Sequence, residues 1–195
     1  MKEHKDYSKI YRIWHWLNAV SILGLLSTVL LRKTFLSYKK NGATIKAELA
    51  KLNLDISLDA AKAIGKTIRE PMWDWHYVFG FLLVALFVVR IVLHFIDRPF
   101  ITKSEIETKS AHDKIVAYSY QILYLMVMVM VITGLLLFFK EAFGLSKDTT
   151  HNIKEFHELL MFFFAFFVPA HIFGVLIAEN KDQPGLVSNM ISGKS

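Results

Sequence analysis

The sequence predicts an all-α integral membrane protein: a four-helix transmembrane bundle forming a single domain over residues 1–195. Three observations carry this expectation. Hydrophobic residues make up 54% of the chain, above the roughly 45–50% usual in soluble domains. They gather into four runs, at 13–31, 75–96, 115–139 and 157–178, each near or beyond the roughly 20 residues that cross a bilayer. Inside hydrocarbon a chain must satisfy its own backbone hydrogen bonds, so isolated runs of this length read as helices.

Each element has its own grounds. The first run carries His15 and Asn18 and ends in Arg32-Lys33 without a small-residue cleavage pattern, which reads as a span rather than a removable signal. The 33–71 connection is the one sizeable extramembrane loop. Within it, "ATIKAELAKLNL" and "SLDAAKAIGKTI" space their apolar residues as amphipathic helices do, and Ser57 is placed to cap the second. A connector lying on the membrane surface is preferred here to a docking face for another protein. The second run follows, then a polar loop at 97–114. In the third run Met126, Met128 and Met130 alternate, so successive ones point to different helix faces, and they read as packing residues. Pro169 is expected to bend the fourth run, and 179–195 reads as a soluble tail.

Four spans place both termini on one side. Lysine and arginine are almost equally divided between the two sides, so charge asymmetry does not choose the orientation. The net charge of +6 is scattered along the chain and gives no nucleic-acid footprint. With no cysteine there is no disulfide, thiolate-held metal, iron–sulfur cluster or CxxCH attachment. A redox centre in this chain has to be held by histidine or methionine.

Ionisable groups within a bilayer are costly and are functional candidates by default. The histidines are His4, His15, His76, His94, His112, His151, His157 and His171; His4 and His151 lie in polar flanks and read as solvated. His157 and His171 are 14 residues apart, about 1400° of helix, within about 40° of four full turns, with a rise of about 21 Å. They therefore share a face, one near each membrane surface. His76 opens the second span as His157 opens the fourth, which puts those two at one level. His15 lies just inside the first span, at the level that His171 approaches. The pairs are His76/His157 and His15/His171, a donor set for two bis-histidine b haems. Tetrahedral zinc needs its ligands gathered at one level, and these are spread across the bilayer. His94, on the His76 face, and His112, before the third span, are alternatives to His15; hydrogen bonding to a haem propionate or a place among the headgroups is the preferred reading.

Arg90 lies 14 residues after His76 and reaches the depth of His171. An arginine there costs about 2.5–3.5 kcal/mol on insertion scales, so an anionic companion is expected, a propionate of the inner haem; snorkelling to the interface is the alternative. "WHW" at 14–16 and "WDWH" at 73–76 place His15 and His76 at opposite membrane edges, since tryptophan favours the interface. Gly24, Gly80, Gly134 and Gly174 sit within spans, where a small residue admits a neighbouring helix or a flat macrocycle.

The stretches "RIWHWLNA", "WHYVFGFLLVALFVVRIV", "AYSYQILYLMVMVMVITGLLLF" and "HELLMFFFAFFVPAHIFG" resemble, in order, the four helices of the prokaryotic cytochrome b561 family, which includes cytochrome b subunits of nickel–iron hydrogenases and relatives in formate dehydrogenase and thiosulfate reductase. The resemblance runs over about residues 8–193 and includes the closing "GLVSNMISG". It implies two haems b on His15, His76, His157 and His171, electron exchange with a membrane quinone, and cytoplasmic termini in a bacterial inner membrane. Ser27-Thr28 departs from the small Thr-Gly pair often found there, and the 33–71 loop is longer than in short stand-alone members.

The expected function is transmembrane electron transfer through two b haems, between membrane quinone and a redox partner subunit or periplasmic cytochrome, with lipid as the surroundings. A rival is a stand-alone superoxide:quinone oxidoreductase, which some family members resemble. A third reading is a haem-free transporter or scaffold with histidine proton relays.

Overall fold

A computed structural model describes residues 7–96, 100–181 and 183–193. His4 lies outside them. Among the described residues all regular structure is helical: α1 (Lys9–Lys33), α2 (Tyr38–Lys51), α3 (Leu58–Ile96), α4 (Lys103–Glu107), α5 (Ala111–Phe138), α6 (Lys147–Lys181) and α7 (Leu186–Ser192). Four of these, α1, α3, α5 and α6, are long and apolar enough to cross a membrane. The chain forms two compact units, residues 20–82 and the remainder.

The unit of residues 20–82 contains the end of α1, all of α2 and the first part of α3. The two amphipathic stretches are helical here, and the second is not separate: it runs on into the span as the opening of α3. Ser57 Oγ accepts the Ala60 N–H at 3.1 Å, capping the start. The Ala- and Lys-rich opening favours helix. Pro71 lies inside α3, and a proline there removes one backbone donor from the ladder. Helices α2 and α3 meet at glycines. A Cβ on Gly42 would lie 2.9 Å from Lys62 Cα, and one on Gly65 would lie 3.1 Å from the Tyr38 carbonyl oxygen. The guanidinium of Arg69 sits 5.0 Å from the Tyr38 ring centre. Further along, Gly24 of α1 receives the Phe79 ring, which a Cβ would meet at 2.6 Å.

The other unit holds the start of α1, the end of α3, and α4 to α7. Trp14 is buried, and its indole N–H donates to the Leu86 carbonyl at 2.8 Å. That bond ties α1 to α3 where a buried indole needs an acceptor. Thr102 and Glu105 form a capping box that starts α4; the backbone N–H of Thr102 holds the exposed Glu105 carboxyl below the ordinary glutamate range. Within 179–195, α7 folds back. Glu179 accepts the backbone N–H groups of Gly185 at 3.0 Å and Val187 at 2.8 Å. Asn189, 2% exposed, accepts the Tyr7 N–H at 3.1 Å. Arg12 and Trp16 of α1 donate to the Ile191 and Met190 carbonyls at 3.0 and 3.1 Å.

Candidate functional site

Two of the expected ligands are close neighbours. His15 of α1 and His171 of α6 hold their ring centres 6.2 Å apart with planes inclined at 56°. A metal bound between two imidazole nitrogens at about 2.0 Å each separates the ring centres by roughly 6 Å. The donor set and this spacing would suit one metal held by a nitrogen of each ring. Neighbouring rings orient the pair. Phe167, one turn before His171, stacks on it at 6.0 Å and 6°, and Tyr120 of α5 meets it edge-on at 6.2 Å. Trp16 meets His15 edge-on at 5.5 Å. Among the described residues neither ring of this pair makes a hydrogen bond.

His76 and His157 belong to different compact units, and each has a threonine at its Nδ1. Thr28 Oγ1 lies 2.8 Å from His76 Nδ1, and Thr133 Oγ1 lies 2.8 Å from His157 Nδ1. Each hydroxyl also donates to its own helix: Thr28 to the Leu25 carbonyl at 2.7 Å, Thr133 to the Val129 and Met130 carbonyls at 2.8 and 3.2 Å. A hydroxyl has one proton to give. Its oxygen therefore accepts from the imidazole, the proton sits on Nδ1, and the ring lone pair is at Nε2. Gly134 makes room for His157: a Cβ there would lie 3.4 Å from His157 Cε1.

Arg90 is 4% exposed. Its Nε donates to the Tyr124 hydroxyl at 3.1 Å. Its guanidinium carbon lies 4.0, 4.9 and 5.7 Å from the ring centres of Phe100, Tyr124 and Trp14. Three aromatic faces offset part of the cost of a buried cation, and Trp14 adjoins His15 in sequence.

The remaining histidines are placed differently. His94 Nδ1 accepts the Phe100 N–H at 2.8 Å, which leaves the proton of a neutral ring on Nε2 and no lone pair for a metal. His112 is exposed, 3.7 Å from Asp113. His151 is exposed beside Glu155 at 3.1 Å. Thr28, Thr133 and Tyr124 were not among the residues singled out from sequence for the site. The available signal was a hydroxyl inside an apolar run, a group that needs a hydrogen-bonding companion there.

A family model described as prokaryotic cytochrome b561 matches residues 6–193. Comparison with curated proteins and with solved structures gave no match.

Proposed function

From a chain that belongs to the prokaryotic cytochrome b561 family, and so moves electrons across a membrane through b haems, we propose a two-haem relay between membrane quinone and a redox partner on the outer face. The outer haem takes His76 and His157 and the inner haem takes His15 and His171. The approach of His15 to His171 at 6.2 Å is the observation that carries the reading. The two-site arrangement is supported by helix α6, which runs from Lys147 to Lys181. It separates His157 from His171 by about 21 Å along its axis.

When bound, each haem supplies a one-electron ferric/ferrous couple. The chain's own residues do the rest. His15 and His171 hold the inner iron through one ring nitrogen each, and Phe167 and Tyr120 limit rotation of the His171 ring. Arg90 supplies positive charge beside Trp14, at the level of the inner pair, as a companion for a haem propionate. Gly80 and Gly174 lie one turn from His76 and His171 on the same helix faces, and a Cβ at either meets no protein atom within 4 Å; the absence of side chains there suits a flat macrocycle. Quinone exchanges beside the inner haem. The termini lie on the cytoplasmic side of a bacterial inner membrane, which puts the 33–71 segment on the outer face.

Pyridine haemochrome quantitation on the wild type and on His15→Ala, His76→Ala, His157→Ala and His171→Ala tests this reading. Two haems per wild-type chain are expected. His15→Ala and His171→Ala lose the same one, and His76→Ala and His157→Ala lose the other. A single haem per chain, or different losses within a pair, overturns it.

A further inference from the structure

We propose that Thr28 and Thr133 are positioning residues for the outer haem. Each holds the Nδ1 proton of its histidine, presents Nε2 to the iron, and lowers the reduction potential of that haem. The inference rests on the reading that His76 and His157 serve one iron.

The same device occurs in both compact units. A threonine one helix away meets the ligand's Nδ1 at 2.8 Å, and its own proton is committed to a carbonyl one turn back. The direction of the hydrogen bond is therefore the same in both, from imidazole to hydroxyl. Both hydroxyls are shielded, with Thr28 5% and Thr133 7% exposed, and a hydrogen bond strengthens where the local dielectric is low. The chain from N–H to hydroxyl to carbonyl polarises along its length in one sense. An acceptor at the far nitrogen of a ligand imidazole fixes the tautomer and raises its basicity. A more basic ligand stabilises ferric over ferrous iron. His15 and His171 have no such acceptor among the described residues, so the effect falls on one haem and not the other. Gly134, next to Thr133, admits the His157 ring; a larger residue there crowds the ring that the hydroxyl holds.

The test is redox titration of the full-length, haem-loaded protein, followed optically and by electron paramagnetic resonance, on Thr28→Val, Thr133→Val, Thr28→Ser and Thr133→Ser. Each valine variant is expected to raise the potential of one and the same haem by about a tenfold change in its reduction equilibrium, about 59 mV for a one-electron couple. The other haem stays at the wild-type value, and each serine variant returns the shifted potential toward wild type. A valine variant that fails to retain the outer haem also supports the hydroxyl's role if serine restores it. Wild-type potentials in both valine variants, or serine variants indistinguishable from valine, overturn the inference. Shifts that land on two different haems overturn the His76/His157 pairing instead, which separates failure of the reading from failure of the inference.

Discussion

The imidazoles of His15 and His171 are neither parallel nor perpendicular: their planes meet at 56° across a 6.2 Å gap. Axial imidazoles in parallel planes donate π density along one direction and split the iron orbitals; turning one plane reduces that splitting and makes the ferric signal more anisotropic. If His15 and His171 hold one haem as proposed and keep this inclination, its ferric low-spin signal should have a greatest g value above that of a parallel bis-imidazole compound. Phe163, Phe167 and His171 form a stack, with Phe167 held 5.6 Å from Phe163 and 6.0 Å from His171. Phe167→Leu should shift this signal alone. A signal of the parallel type in the wild type counts against the geometry.

Arg90 brings a cation close to the level of the inner pair. Positive charge beside a haem favours the ferrous state, which carries one more electron. Arg90→Gln should lower the inner haem's midpoint by about a tenfold change in its reduction equilibrium, about 59 mV, and leave the outer haem alone. An unchanged spectrum and potential would remove the propionate from the account.

Asn189 links α7 to the start of the chain through the Tyr7 N–H. Replacing it by alanine removes the acceptor from a part-buried donor, at a cost of about 1 kcal/mol. The expected outcome for Asn189→Ala is a lower temperature for thermal loss of Soret absorbance and faster trimming of the C-terminal segment by carboxypeptidase, with unaltered haem potentials. Wild-type resistance on both measures would show that the tail is held by other contacts.

Two glycines separate packing from cofactor. A Cβ on Gly42 meets backbone of α3 at 2.9 Å, and backbone cannot swing aside as a side chain can. Gly42→Ala should cost about 1–3 kcal/mol by overpacking and leave the reduced α-band unchanged. Apart from its own stretch of helix backbone, the Cβ of Gly80→Ala meets no atom of the described residues within 4 Å. A shifted α-band in that variant then reports a macrocycle against the His76 face, and an unshifted one argues against it. Thermal melts and reduced-minus-oxidised spectra of the two variants make the comparison.

Much of this was legible before any coordinates. The membrane-length runs correspond to α1, α3, α5 and α6, and the Ser57 cap stands where a cap was expected. Counting residues along helices and comparing depths paired His15 with His171, whose ring centres lie 6.2 Å apart. What escaped was of a different kind. Thr28 read as a departure from a small-residue pair, and Thr133 as part of an apolar run; each became informative through its contact with an imidazole on another helix. His94, an alternative ligand by sequence, accepts the Phe100 N–H at Nδ1, a contact that no spacing announces. Arg90 lies against three aromatic rings that no spacing along α3 announces.

The division has a physical cause. An α-helix has a fixed rise and twist, so sequence by itself determined which segments are membrane-length, which histidines share a face and how far apart they stand along one axis. The rotation of one helix against the next, and the path of a terminal segment, depend on side chains meeting across space. Only the tertiary structure decided that Thr28 and Thr133 hold imidazole protons, that Arg90 lies among aromatic rings, and that α7 returns to α1.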